Sequence, residues 1–408
     1  MNEQSFLYAA AHMVLFVPFI FYFLFKKITH PVVIFIGILS FQYSIYAFFQ
    51  EEKYSILTDV TVNEIFYGLW AFLVGFTVVT VLSFSIRSHL RFKLSPNFHS
   101  PNESLLFKIN QRVKILSVIV IVAHLFIGFN HGVNGVYESF WINVRMEHVN
   151  SPQDFYLFPH LAIFCQSWFV YCFVHKYKKE ESLICLILVT LFCSISKLER
   201  TSIISLVLTI LVLKDHMHYN GLSLKALLIS LFAVVGVFIF VAAQFYASSS
   251  FSDLLFVMLD YFAKNLDTFN KHVSSMPPTY NANLILGPFA KFFIFDEKTL
   301  VPIKVDTDDS FNTYSYLMNL HMFGGGEFVM VFNLLIGCFF SLVYELRYAF
   351  NGLVLGFFSF FSCALFLSFF AYTFSWSNWL YYAICFFIIH LIVRRNIKDN
   401  NRKRCFNG

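Results

Sequence analysis

Charge is scarce in this chain. Only 13% of its 408 residues are Asp, Glu, Lys or Arg, against 58% hydrophobic, and the mean hydropathy is +0.66. That balance excludes a water-soluble fold with an apolar core and a charged surface, and it makes the bilayer the expected solvent. Cross-linking cysteine is lacking as well. Of the 8 cysteines, at 165, 172, 185, 193, 338, 363, 385 and 405, all but the last lie in apolar runs, so no disulfide framework is expected. They lack the paired short spacings of a zinc or iron–sulfur site, and the reading for them is buried small hydrophobes. The N-terminus, Met1-Asn2-Glu3-Gln4-Ser5, has no basic stretch ahead of its first apolar run, and Lys26-Lys27 follow that run directly. A retained first helix is expected in place of a cleaved signal peptide. No internal repeat and no low-complexity linker is visible. Gly324-Gly325-Gly326 lacks the Lys-Ser/Thr of a phosphate loop and reads as a flexible entry into the next helix.

What is abundant is apolar length, much of it aromatic, with 56 Phe and 21 Tyr. An apolar helix needs about 20 residues to cross roughly 30 Å of hydrocarbon. The expected spans fall near 6–25, 31–50, 64–85, 115–130, 157–175, 182–196, 201–213, 226–246, 328–344, 351–373 and 380–393. The expected fold is therefore an all-α integral membrane protein of about eleven transmembrane helices.

Orientation follows from the cations. Alternate connections hold Lys26 and Lys27, the six from Arg87 to Lys114, Lys176 to Lys179, Lys214 and Lys225, Arg347, and the six from Arg394 to Arg404, which is 20 of the 29 Lys and Arg. The other side keeps nine cations but 18 of the 24 acids. The N-terminus is accordingly placed outside and the C-terminus inside. The net charge of +5 is then a mark of topology and gives no argument for nucleic-acid binding. Three segments result: helices 1 to 8 over residues 1–246, a large outer loop with interfacial helices over 247–326, and three more helices with a basic tail over 327–408.

Long loops usually carry function. The outer loop holds two apolar pieces, 254–259 and 284–289, too short to cross and expected to pack as interfacial or re-entrant helices. Of the outer cations only Arg145 and Arg200 are arginine. The short apolar runs flanking Lys197-Leu198-Glu199-Arg200 suggest a turn carried below the outer interface. Charge at that depth is costly and usually faces a cavity or partner, and a guanidinium fork matches phosphate oxygens. Arg200, Arg145 and Lys197 are therefore the candidate phosphate ligands, with snorkelling to the headgroups the structural alternative for Arg200. His321 and His272 have side chains suited to general-base work, and Glu327 is a third candidate at the positive end of its helix. His124 and His160 read as packing residues. Asp306-Thr307-Asp308-Asp309 invites comparison with acidic metal motifs but reads as a solvated loop, so no metal is assigned.

The stretch Asn312-Thr313-Tyr314-Ser315, through Phe323-Gly324 into Gly337 and Tyr344, resembles the carboxy-terminal signature of oligosaccharide repeat-unit polymerases, the O-antigen polymerases of bacterial surface polysaccharide synthesis. Arg200-Thr201-Ser202 ahead of a short span also fits, while Met322 stands where that family carries an acid. The resemblance implies a glycosyltransferase of GT-C-like fold in the bacterial inner membrane. It would move a glycan from undecaprenyl diphosphate onto a second lipid-linked repeat unit, at the periplasmic face and without a metal or cofactor. Arginines would hold the diphosphate, and Asn312 and Tyr314 would touch substrate. Its partners would be lipid-linked oligosaccharides, the bilayer and a chain-length regulator. The rival readings are a flippase for the same lipid and a related transferase such as an O-antigen ligase or acyltransferase.

Overall fold

The computed structural model describes residues 13–49, 54–90, 103–155, 157–217, 250–273, 277–280, 316–349, 352–368 and 377–406, with isolated positions at 229, 232, 235, 236, 239 and 285. Among these residues there are helices and no strand. We number the helices α1 (Val17–Phe25), α2 (Pro31–Phe49), α3 (Asp59–Leu90), α4 (Glu103–Asn134), α5 (Phe140–Asn150) and α6 (Phe158–Val174). After them come α7 (Lys179–Ile195), α8 (Arg200–Met217), α9 (Phe251–His272), α10 (Tyr316–Glu345), α11 (Leu353–Leu367) and α12 (Ser377–Phe406). Four are long and apolar enough to cross a membrane: Pro31–Phe49, Asp59–Ile86, Glu103–Asn134 and Tyr316–Glu345. Val14–Phe25, Phe158–Val174, Leu353–Leu367 and Asn378–Val393 are shorter apolar helices. The all-helical membrane character expected from composition is present.

The helices depart from the apolar runs in two instructive places. The run 201–213 belongs to an 18-residue helix, Arg200–Met217, roughly 27 Å long at 1.5 Å per residue. The helix continues through Lys214, Asp215 and His216 because backbone hydrogen bonding does not stop where hydropathy does. The apolar run itself still ends at Lys214, so the added length is a polar last turn. Second, α10 starts at Tyr316, twelve residues ahead of the expected span at 328–344, and is broken inside: Gly324 has φ −146° and Gly325 has φ 71°, ψ −168°. The second pair is a conformation open essentially to glycine alone, so the glycine run is a fixed break within a helix instead of a flexible approach to one.

The chain divides into two compact units. The first comprises Met1–Lys93, Leu255–Glu345 and Ser362–Ser377. Its spine is α3 against α10, a seam made possible by missing side chains: a Cβ at Gly75 would lie 2.2 Å from the Leu334 carbonyl, and one at Gly337 2.2 Å from that of Phe72. Small residues let backbones approach this closely, which drives helix association where lipid removes the hydrophobic incentive. Thr80 and Ser341 hydroxyls meet across the seam at 2.9 Å. Helix α9 is fastened by polar groups. Asn270 Oδ1 accepts from the Thr58 amide at 2.8 Å and the Thr61 hydroxyl at 2.7 Å, Asp267 accepts from the Ser55 hydroxyl at 3.0 Å, and Gln42 Nε2 donates to the Phe262 carbonyl at 2.9 Å. The apolar piece 254–259 lies in this helix; 284–289 lies outside the described residues apart from Ile285.

The second unit comprises Leu94–Leu254, Leu346–Phe361 and Asn378–Gly408. Here α4 to α7 pack through buried polar contacts, Trp168 Nε1 donating to Asn110 Oδ1 at 3.1 Å and Gln166 Nε2 to Thr190 Oγ1 at 3.0 Å. Asn143 closes the α4–α5 connection, its Nδ2 donating to the carbonyls of Gly132 at 3.1 Å and Tyr137 at 2.9 Å while its Oδ1 accepts from the Tyr137 amide at 2.7 Å. That clamp fixes α5, and with it Arg145 and His148, against the end of α4.

Candidate functional site

In the second unit a cluster forms around one phenylalanine. Pro152–Phe155 is a single 3-10 turn between α5 and α6, and it delivers Phe155 fully buried. Three imidazoles face its ring, with centroid separations of 5.0 Å for His124, 5.6 Å for His131 and 5.4 Å for His148. The Lys197 ammonium lies 5.0 Å from the same centroid, within cation–π range. His131 Nε2 contacts Asp154 Oδ2 at 3.1 Å, and the Ser196 hydroxyl lies 3.4 Å from His124 Nδ1. The spacing of His124 and His131, seven residues apart on α4, puts both on one helix face. The other contributors come from α5 and from the α7–α8 turn.

That turn carries Lys197, Leu198 with φ 47°, and Glu199, whose Oε1 accepts from the Thr201 hydroxyl at 2.9 Å. Burial works to raise the Glu199 carboxyl. Lys197 foremost, then the Thr201 hydrogen bond, His148 and Arg145, outweigh it and hold the group below the usual carboxylate range. Glu199 is therefore ionised. Burial pushes the His148 imidazole down to about 4, Lys197, Arg145 and His131 adding to the effect and Glu199 opposing it; near neutral pH the ring is uncharged. His131 Nδ1 and His148 Nδ1 are buried with no hydrogen-bond partner among the described residues, whereas His124 also meets the Phe158 backbone. Buried polar atoms are nearly always satisfied, and two such nitrogens around one ring make a pocket that offers more hydrogen bonding than the described residues take up.

Of the residues singled out from sequence, Arg145 and Lys197 are thus brought into one electrostatic cluster. Arg200 opens α8, and its side chain lies outside the described residues, as do Asn312, Tyr314 and the acidic run 306–309. His124, read as packing, is a wall of the cluster. His160 is turned to Tyr381, ring centroids 4.2 Å apart.

The first unit holds a different arrangement. His321 Nδ1 lies 2.7 Å from Glu64 Oε1, the two residues 8% and 7% exposed. Glu64 Oε2 is buried with no hydrogen-bond partner among the described residues. The α10 backbone comes close to this carboxylate just past the break: a Cβ at Gly326 would lie 3.2 Å from Glu64 Oε1. A short strap secures the broken turn, the amides of Thr279 and Tyr280 donating to the carbonyls of Met322 and Phe323 at 2.8 Å each. With a carboxylate on Nδ1, the imidazole is held as the Nδ1–H tautomer and Nε2 becomes the basic nitrogen. His272 is not part of this pair; its Nδ1 faces the Thr268 carbonyl of its own helix at 2.8 Å. Glu327 is exposed.

Sequence reasoning missed Glu64, His131, His148, Asp154 and Glu199 as site residues. For Glu64 a signal existed, since it is the lone acid between Val60 and Asn102, and an ionisable group inside an apolar helix is a functional candidate by default. Comparison with protein-family models, with curated proteins and with solved structures finds no match for this chain.

Proposed function

We propose that this protein polymerises oligosaccharide repeat units carried on undecaprenyl diphosphate, at the periplasmic face of a bacterial inner membrane. The observation that carries the reading is the pocket around Phe155, walled by His124, His131 and His148 with the Lys197 ammonium 5.0 Å from the ring, where Lys197 and Arg145 supply positive charge of the kind a lipid-linked diphosphate requires. The resemblance of residues 312–344 to O-antigen polymerases points the same way. In the reaction, the bond from the anomeric carbon to the diphosphate oxygen breaks and a bond from that carbon to the acceptor hydroxyl oxygen forms. The diphosphate leaves with the bonding electron pair, and Arg145 and Lys197 stabilise the charge that develops on it. The hydroxyl proton needs a base, and an imidazole held by a carboxylate has that chemistry, as His131 is by Asp154 and His321 by Glu64.

One observation favours a second reading. A buried acid–histidine pair beside a broken helix is also how transporters build coupling sites, so a flippase for the same lipid stays the rival. Gene deletion followed by gel analysis of lipopolysaccharide separates the two. Core carrying a single repeat unit is expected for a lost polymerase; core alone would point to transport, ligation or an earlier step.

A further inference from the structure

Tyr316 and Asn333 meet although they stand 17 positions apart on one helix: the Tyr316 hydroxyl donates to Asn333 Oδ1 at 3.1 Å. Along an unbroken α-helix that separation is about 25 Å, far more than the two side chains can bridge. The glycine pair at 324 and 325 therefore folds the first limb of α10, residues 316–323, back toward the second. This limb is held at both ends. At its start the Tyr316 amide donates to the Ser368 carbonyl at 3.2 Å, and at its finish Met322 and Phe323 accept from the strap. His321 lies between these fixings.

Asn333 is a common reference for the pieces that carry the His321–Glu64 pair. Its side chain is fully buried, as is that of Tyr316. Besides accepting from Tyr316, it donates from Nδ2 to the Val329 carbonyl of its own limb at 2.8 Å, and a Cβ at Gly68 would lie 3.1 Å from the same nitrogen. Gly68 is four residues past Glu64, so both sit on one face of α3. One amide thus meets α3 a single turn from the acid, the second limb of α10 and, through Tyr316, the limb that bears the histidine. A buried amide in an apolar seam carries a desolvation cost that a leucine would not, and the best-attested use of such a group is to fix register.

We propose that Asn333 and Tyr316 are positioning residues: their hydrogen bond sets how far the first limb of α10 folds back, and so brings His321 Nδ1 onto Glu64. The inference rests on the reading of His321 as a base in repeat-unit transfer and adds to it the contact that places the base. Neither residue needs to touch substrate.

The test compares wild type, Tyr316→Phe and the double variant Tyr316→Phe/Asn333→Leu, each as full-length protein in lipid nanodiscs. Three quantities are read: polymerisation kinetics with lipid-linked repeat units, the thermal midpoint, and ring-nitrogen NMR of isotopically labelled histidine, in which the His321 signals are those missing from His321→Gln. Wild type should show His321 as a single tautomer with its proton on Nδ1. Both variants should lose that single tautomer and fall about tenfold or more in kcat with KM unchanged. Replacing both partners by apolar groups leaves neither one buried and unpaired, so the double variant should keep or exceed the wild-type midpoint while activity falls. A merely structural bond would instead lower the midpoint and leave the tautomer alone; an unchanged His321 tautomer in the double variant therefore overturns the proposal, whatever the midpoint does. Failure of the underlying reading looks different. His321→Gln would then polymerise as fast as wild type, while the tautomer signal still reported whether the bond places the ring.

Discussion

His321 Nδ1 and Glu64 Oε1 lie 2.7 Å apart although 257 residues separate them in sequence. The pair exists because α3 and α10 share a glycine-lined seam and because α10 breaks one turn past His321. If His321 takes the acceptor proton, His321→Gln should cut polymer formation by about 10²–10⁴-fold. Glu64→Gln should cost less, about tenfold or more, and in kcat instead of KM, because it loosens the tautomer without touching substrate. Initial rates at matched protein levels measure both. Wild-type rates from His321→Gln would remove it from the mechanism.

The break itself is open to test. Gly325 sits at φ 71°, ψ −168°, and an alanine forced there should cost about 1–3 kcal/mol. Thermal unfolding of Gly325→Ala in detergent should show a lowered midpoint, with Gly236→Ala, where a Cβ would meet nothing within 4 Å, as the comparison. Equal midpoints would mean that the bend is dispensable.

His148 makes stability depend on pH in a defined window. Its folded value, pushed down by burial to about 4, lies below the ordinary 6.5, so the unfolded chain binds more protons between those values. Stability is then full above about 6.5 and declines as the pH falls toward about 4. Melting midpoints measured across that range should fall on acidification, and His148→Gln should flatten part of the slope. A slope identical to wild type would show that the ring is not buried neutral.

Much of this was legible from residues alone. Low charge and long apolar runs gave the membrane-helical class, and the rarity of arginine on the acidic side led to Arg145 and Arg200, with Lys197 in the turn ahead of Arg200. What escaped depends on distant pairing or on hydrogen bonding that hydropathy cannot register. Glu64 becomes chemically distinctive only when His321 is brought beside it. His131 and His148 gain meaning from Phe155, which the 3-10 turn Pro152–Phe155 turns inward. The α8 helix outruns its apolar stretch because Lys214 to Met217 continue the backbone ladder. The glycine run was visible, but its role as a fixed break requires the dihedral angles.

The arrangement of crossings is a separate claim, resting on the division of cations. Reporter fusions at Lys178 and at the C-terminus should read cytoplasmic, and fusions at Ser151 and Pro277 periplasmic. A cytoplasmic signal at Pro277 would reverse the side assigned to the strap and to the start of α10.

Repeat-unit transfer by this chain alone is the central claim, and purified protein in proteoliposomes supplied with lipid-linked repeat units tests it most directly. The account predicts a ladder of polymers on undecaprenyl diphosphate, persisting in EDTA and falling about 10²–10³-fold in rate when Arg145 or Lys197 is replaced by Ala. Movement of the lipid between leaflets with no product longer than one repeat unit would contradict it and establish the transporter reading in its place.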